Sequence, residues 1–169
     1  MVLRWFMFVV LLLSLAGCAK PADLPDVTVS AALPSEFAQF RAELGTRFTP
    51  EQLKDFDTAT QELQLDGMNR NITTAAGREL DMLAAVNGQP VHVVVRLGWQ
   101  ARRERFHREI ATLTKMLDGE LEAQAKNGDA GPSQAALARM QSERGVIAKL
   151  QANLAETDRR LTELRQAKP

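Results

Sequence analysis

The chain has 169 residues, of which 45% are hydrophobic and 25% charged, and its formal net charge is +0 at pH 7. This apolar content indicates a folded protein, and the neutral balance gives no general electrostatic basis for binding nucleic acid. Aromatic residues make up only 5%. The second half is rich in alanine, leucine, glutamine, glutamate and arginine, which is a helical composition. We therefore expect a small helical protein without a nucleic-acid partner.

The first 17 residues have the three parts of a secretory signal peptide. Arg4 gives a short positive region, residues 5–13 are continuously apolar, and residues 14–17 (SLAG) are mostly small. A membrane-spanning helix needs about 20 apolar residues, and this run is roughly half as long. The alternative is an uncleaved membrane anchor. A single cysteine placed where the small residues end favours cleavage.

The end of this leader, Leu15-Ala16-Gly17-Cys18, resembles the lipobox of bacterial lipoproteins, in which a peptidase cuts before a lipid-carrying cysteine. The resemblance implies that Cys18 is acylated and that the lipid holds the protein on a membrane. Because the chain has one cysteine, no internal disulfide can form. Ala19 stands where aspartate retains lipoproteins of enteric bacteria in the inner membrane. The resemblance therefore implies the outer membrane, with the protein facing the periplasm.

After the lipidated cysteine, residues 18–34 contain Pro21, Pro25 and Pro34 and show no helical period. Prolines at this spacing favour an extended, semi-rigid tether. Residues 27–29 (VTV) are compatible with a short edge strand, although three residues are a weak signal. We expect this segment to join the lipid to the folded part.

Residues 35–89 predict a bundle of three short helices. The expected start signals are Ser35, a capping box with proline at 49–52 (TPEQ), and Thr73 or Thr74. The expected stop signals are Gly45-Thr46, Asp66-Gly67 and Asn87-Gly88. Asp55, Asp57 and Glu62 fall on the second helix, where we interpret them as its solvent-facing charged side.

Residues 90–166 predict a long antiparallel αα-hairpin, coiled-coil-like, with its turn at 127–132 (NGDAGP). The first arm carries one apolar stripe, namely Val95, Trp99, Phe106, Ile110, Leu113, Leu117 and Leu121. The second arm repeats every seven residues at Met140, Ile147, Leu154 and Leu161, and Ser133 is its expected cap. Residues 91–95 are β-branched enough for a strand, but the unbroken stripe favours a helix.

Folding the chain back at the turn aligns the two stripes in one register. The apolar pairs are Trp99 with Leu161, Phe106 with Leu154, Ile110 with Leu150, and Leu113 with Ile147. The same register places Arg103 near Glu156, Arg96 near Glu163 and Glu120 near Arg139. Because the charges agree with a register chosen from apolar residues, the hairpin prediction rests on two patterns.

One further pattern resembles a family of small proteobacterial lipoproteins. Residues 56–59 (FDTA) are followed about thirty residues later by 83–90 (LAAVNGQP). That family combines a helix containing phenylalanine and alanine with a leucine and asparagine-glycine-lysine-threonine junction. Here Gln89-Pro90 replaces the lysine-threonine pair. The resemblance covers roughly residues 35–97 and implies no catalytic residues, since none are established for the family.

The sequence contains no arrangement typical of an enzyme or a metal site. His92 and His107 are fifteen residues apart on one predicted helix, over 20 Å of its axis, so they cannot share a ligand. We therefore predict no catalytic residue, no metal and no cofactor. A basic cluster around Arg102, Arg105 and Arg108 is the one candidate interaction surface. The alternative is that these arginines pair with acids of the returning helix.

These features together predict a non-enzymatic outer-membrane lipoprotein that binds a periplasmic or envelope protein through its helical hairpin. In this hypothesis it is an adaptor or assembly component. The alternative function is an immunity or inhibitor lipoprotein that neutralises a toxin or hydrolase in the periplasm. The sequence does not separate the two hypotheses and gives no oligomeric state.

Overall fold

The structure, a computed structural model, describes residues 27–126 and 132–166. Within these residues the chain forms helices and no strand, which confirms the predicted all-α class. The helices in chain order are α1 (Pro34–Arg47), α2 (Pro50–Asn69), α3 (Ala75–Val86), α4 (Val91–Lys126) and α5 (Gln134–Gln166).

Side-chain caps begin three helices at the predicted residues. At α2, the Thr49 hydroxyl accepts the Gln52 amide and the Gln52 side chain accepts the Thr49 amide, which completes the capping box. Thr74 and Ser133 each accept the backbone amide three residues further on, at α3 and α5. Each cap satisfies an amide that the helix cannot pair internally.

Three predicted boundaries are wrong. The N-cap of α1 is Leu33, which has no side-chain cap bond, so Ser35 already lies in the first turn. Gly45 and Gly67 lie inside α1 and α2 and end neither helix. Gly67 is buried, and a Cβ there would lie 3.0 Å from Cγ of Arg78. That glycine therefore provides room for a neighbouring side chain.

The core lies where the short helices meet the first turns of α4. Phe56 is fully buried, and its ring centroid lies 6.0 Å from Phe37 and 6.1 Å from Phe40. The surrounding core residues are Leu44, Phe48, Met82, Leu83, Val86, Val91, Val94 and Val95. The predicted short-helix bundle and the predicted hairpin therefore share one core.

The segment before α1 is docked on the helices, and this corrects the tether predicted for residues 18–34. Val29 and Ala31 are each only 1% exposed. The Val29 amide donates to the carbonyl oxygen of Gln89 at 2.9 Å, and a single bridge replaces the edge strand considered for this segment. Residues 27–31 thus belong to the folded body, and the earlier part of the tether lies outside the described residues.

A sharp corner joins α3 to α4. Gly88 has a φ of +76°, a left-handed conformation that glycine adopts without strain, and Asn87 caps α3 as predicted. The Asn87 side chain also accepts the Ala31 amide at 2.9 Å. Beyond the corner, residues 91–95 are helical, with Val91, Val94 and Val95 buried on one face. The helical interpretation of this stretch is confirmed.

Helix α2 runs along the first half of α4 and crosses it closely at Gly98. A Cβ at Gly98 would lie well under 3.0 Å from backbone atoms of Ala59. Two helices approach this closely only where both contact residues are small. The glycine that counts against a helix in the sequence is therefore what allows α2 to dock.

Helices α4 and α5 form the predicted antiparallel hairpin. Glu120 forms the predicted ion pair with Arg139, with 2.7 Å between Oε1 and Nε. Arg103 bonds to Asp158 at 2.6 Å, so its predicted partner Glu156 is wrong by about half a turn. The turn itself, at 127–131, lies outside the described residues.

Other contacts refine that register. The predicted pair of Arg96 with Glu163 is wrong, since Glu163 bonds to Arg159 and Arg160 on its own helix. Met140 and Leu161 are buried in the seam.

We call residues 91–112 with 150–166 the proximal half of the hairpin, and residues 113–126 with 134–149 the distal half.

Candidate functional site

The basic cluster predicted as an interaction surface packs instead around one buried acid of α2. The side chain of Glu62 is 4% exposed. Arg105 binds it through two bonds, from Nε to Oε2 at 2.8 Å and from Nη2 to Oε1 at 2.7 Å. Arg102 adds a third bond to Oε1 at 3.1 Å. Bidentate arginine–carboxylate pairs fix geometry as well as charge, so this cluster sets how α2 sits on α4.

Aromatic rings hold the same two guanidinium groups. Arg102 lies over Trp99 at 5.3 Å and over Phe106 at 5.1 Å, and Arg105 lies over Phe106 at 4.6 Å. Hydrogen bonds to Glu62 raise the pKa of Arg105 above its ordinary value, and burial opposes this. Their acidic partner comes from α2, whereas the alternative in the sequence analysis placed it on the returning helix. Arg102 and Arg105 are thus committed to the fold.

Arg108 is the member of the cluster that remains accessible. Its side chain is 45% exposed, and its ion pairs with Asp66 and Glu104 are long, at 3.4 and 3.8 Å. Exposed pairs at such distances contribute little to stability. Of the three predicted surface arginines, Arg108 alone keeps a charge available to a partner.

A second buried pair ties α2 to α5. Asp55, whose side chain is 11% exposed, accepts two bonds from Arg160. Burial opposes the charge on Arg160, but hydrogen bonds to Asp55 and Glu163 raise its pKa overall. Asp57, by contrast, stays at the surface and pairs with Arg41 at 2.6 Å. Of the three acids interpreted as a solvent-facing side, Asp55 and Glu62 are buried.

A groove opens where the last turn of α2 leaves the hairpin. Its cavity has a volume of about 740 Å³. Three helices line it with Leu65, Met68, Asn69, Arg105, Arg108, Glu109, Thr112, Leu113, Val146 and Leu150. Met68 is 56% exposed and Val146 43% exposed. The groove therefore has an aliphatic floor that reaches solvent and a polar rim that includes Arg108.

Most residues of this groove were not predicted from the sequence. Met68 lies beyond the point where the second helix was expected to end, and Val146 lies beside the predicted heptad stripe, next to Ile147. An apolar residue next to a stripe was the one available signal for Val146. No local pattern in the sequence indicates that α2 packs on the hairpin.

The described residues hold no cluster of three or more histidine, cysteine, aspartate or glutamate side chains suited to a metal ion. His92 and His107 both lie on α4, and His107 is exposed. Cys18, the predicted lipidation site, lies outside the described residues. No helix within 27–126 and 132–166 is long and apolar enough to cross a membrane.

Comparisons with known proteins give no match, whether to family models, curated proteins or solved structures. The groove and its rim are therefore interpreted from their own geometry and chemistry.

Proposed function

We propose that this protein is a non-enzymatic, lipid-anchored adaptor of the bacterial envelope that binds an apolar helix of a partner protein. The observation that carries this proposal is the groove between α2, α4 and α5. Its aliphatic floor, solvent-exposed methionine and arginine rim have the composition of a protein-binding patch. Grooves between rigid helices commonly bind one face of an amphipathic helix.

The lining favours binding over catalysis. Of the residues around the cavity, Glu109 is the one carboxylate, and Arg105 binds it at 2.9 Å. The lining includes no histidine, cysteine or serine, and its one hydroxyl, that of Thr112, donates to the carbonyl oxygen of Arg108 at 2.9 Å, so no base stands beside a free nucleophile. A volume of about 740 Å³ holds several aliphatic side chains.

The proposed anchor is the acylated Cys18 that the lipobox resemblance implies, in the outer membrane and facing the periplasm. Residue 27 is held at the base of α4, and it lies nine positions after Cys18 in the chain. At about 3.3 Å per residue, that connection spans at most roughly 30 Å. The docked segment thus shortens the tether expected from the sequence and keeps the base of the hairpin near the bilayer.

Photo-crosslinking in the protein's own envelope tests the binding role. A photoreactive side chain replaces Met68 or Val146 at the groove, and Leu80 serves as the control. Leu80 is 58% exposed on α3 and does not line the cavity. We expect a protein adduct from both groove positions and none from the control. Equal labelling from all three positions, or none from the groove, would rule out the groove as the binding site.

The anchor is tested separately. The Cys18→Ala variant should incorporate no fatty-acid analogue and should leave the membrane fraction, whereas the parent chain incorporates the label. A Cys18→Ala protein that still carries the label would refute the lipid assignment without touching the groove.

A further inference from the structure

The described chain begins with a short segment whose backbone pairs with the corner between α3 and α4. The Val91 amide donates to the carbonyl oxygen of Val27 at 2.8 Å, and the Gly88 amide donates to that of Val29 at 2.9 Å. Val91 is the first residue of α4, so its amide finds no partner inside the helix. The carbonyl oxygen of Val27 therefore caps α4, the longest of the described helices.

We call residues 27–31 the strap. Its side chains alternate, since Thr28 and Ser30 are exposed whereas Val29 and Ala31 are buried. An extended segment that lays one face on a folded body shows this pattern. The amides of Val29 and Ala31 add two bonds to the corner, each of 2.9 Å. Four hydrogen bonds and two buried side chains are a small attachment, and segments held in this way open locally before the whole protein unfolds.

Two exposed residues, Ala32 and Leu33, separate the strap from α1. Leu33 is the extended N-cap of α1 and makes no side-chain cap bond, and none of the four bonds of the strap involves α1. On the other side of the contact, α4 keeps the bonds from the Val93 and Val94 amides to the carbonyl oxygen of Pro90. The strap can therefore leave the corner while both helices stay formed.

The place of the strap in the chain connects it to the lipid anchor. Val27 lies nine positions after Cys18, and Leu33 lies fifteen positions after it. At about 3.3 Å per residue, the connection to the lipid spans at most roughly 30 Å with the strap docked and roughly 50 Å with the strap released. Docking of the strap thus limits how far the helices can stand from the bilayer.

We propose that the strap is a releasable device that sets the reach of the anchored protein. Docked, it caps α4 and holds the base of the hairpin close to the lipid. Released, it adds about 20 Å to the reach of the groove, and the five helices keep their packing. The change of reach rests on the lipid anchor of the proposed function, whereas the release is a property of the fold alone.

Native-state hydrogen exchange of the full-length chain in detergent micelles tests the release. The amides of Val29, Ala31, Gly88 and Val91 should exchange together, through an opening at least about 100-fold more frequent than the one that exposes the amides of residues 94–106. Exchange of all these amides only through global unfolding would overturn the proposal, because the strap would then be a permanent part of the core.

A matched pair of variants releases the strap on purpose. Val29→Asp puts a charge at a buried position, and Ser30→Asp puts the same charge at the exposed position beside it. Val29→Asp should speed exchange at Gly88 and Val91 by about tenfold or more and leave residues 94–106 at the parental rate. Ser30→Asp should keep the parental rate throughout. Equal loss of protection along α4 in Val29→Asp would show that the strap does not release alone.

A disulfide tests the opposite change. Thr28 and Pro90 form an antiparallel bridge, and the bonds on either side of it make them a non-hydrogen-bonded pair. Cα atoms of such a pair lie about 4.5 Å apart, within the range of a disulfide. Oxidation of the Thr28→Cys/Pro90→Cys variant should slow exchange at Gly88 and Val91 to the rate of residues 94–106, and reduction should reverse this. Disulfide-linked dimers would overturn release within one chain, because the strap would then dock on a second copy.

Energy transfer from a fluorescent side chain at Leu97 to an acceptor lipid measures the reach of the membrane-anchored chain. Leu97 is 39% exposed near the start of α4. Val29→Asp should lower the transfer, and Ser30→Asp should keep the parental value. Equal transfer in the two variants would overturn the change of reach even where exchange shows release. Failure of the anchor is recognised separately, by a Cys18 that takes up no fatty-acid label.

Discussion

The two halves of the hairpin have the same heptad pattern but different surroundings. In the proximal half, α2 adds a third helix, held by the close crossing at Gly98 and by three bonds from arginines to Glu62. In the distal half, α4 and α5 have only each other among the described helices, and Met116, Leu121, Leu137 and Val146 are exposed. The heptad pattern therefore sets how the two arms pair, while Gly98 and Glu62 decide where α2 docks on them.

The largest predicted effect is at the helix crossing. Gly98→Ala places a Cβ against backbone atoms of Ala59, which cannot rotate away. We expect the free energy of unfolding to fall by about 3 kcal/mol or more, the upper end for overpacked cores. Chemical denaturation measures it. A variant as stable as the parent would mean that α2 does not cross α4 at this residue.

The second prediction separates two arginines that the sequence analysis treated as one surface. Arg105→Glu removes the bidentate pair and puts a negative charge beside buried Glu62. Breaking a buried pair costs about 3–5 kcal/mol, and since Arg105 keeps 25% of its surface exposed we expect about 2–3 kcal/mol. Arg108→Glu should change stability by less than about 1 kcal/mol.

Chemical denaturation of these two variants should run beside Asp57→Asn, which breaks the exposed pair with Arg41. We expect that control to lie within about 0.5 kcal/mol of the parent. Equal losses for Arg105→Glu and Arg108→Glu would show that Glu62 is not held as the structure has it.

The third prediction concerns local opening. The protection of backbone amides in the distal half comes from one helix–helix seam, whereas in the proximal half α2 adds further protection. We expect residues 114–124 to exchange hydrogen through local opening at a free energy about 1–2 kcal/mol below that of residues 94–106. Native-state hydrogen exchange at increasing denaturant measures both. Uniform protection along α4 would contradict the division into two halves.

Local signals in the sequence predicted much of the fold. The capping residues Thr49, Thr74 and Ser133 begin helices where expected. The heptads predicted the antiparallel hairpin, and of its three expected charge pairs the Glu120–Arg139 pair is present. These features involve residues within one turn of a helix or one continuous stripe. A period and a cap are properties of a short stretch, so one sequence is enough to detect them.

The candidate site was beyond such reasoning because long-range packing creates it. Glu62 meets Arg105 across 43 residues, and Asp55 meets Arg160 across 105. From the sequence alone, an acid on the exposed side of a helix cannot be told from one that is buried against a neighbouring helix. Gly98 gives no local signal either, since a glycine that lets a neighbouring helix approach looks the same in sequence as one that does not.

The smallest predicted effect, and the clearest contrast, comes from the glycine at the equivalent heptad position in the distal half. Gly119→Ala puts a Cβ into open space and removes the conformational freedom that glycine has in the unfolded chain. We expect a gain of about 0.5–1 kcal/mol, or a melting temperature about 2–4 °C higher, with the same gain for Gly145→Ala. Thermal unfolding of the full chain measures both. Because Gly98→Ala should destabilise strongly, the same substitution changes sign between the two halves. A Gly119→Ala variant less stable than the parent would mean that the α4 surface at Gly119 is not open as the structure has it.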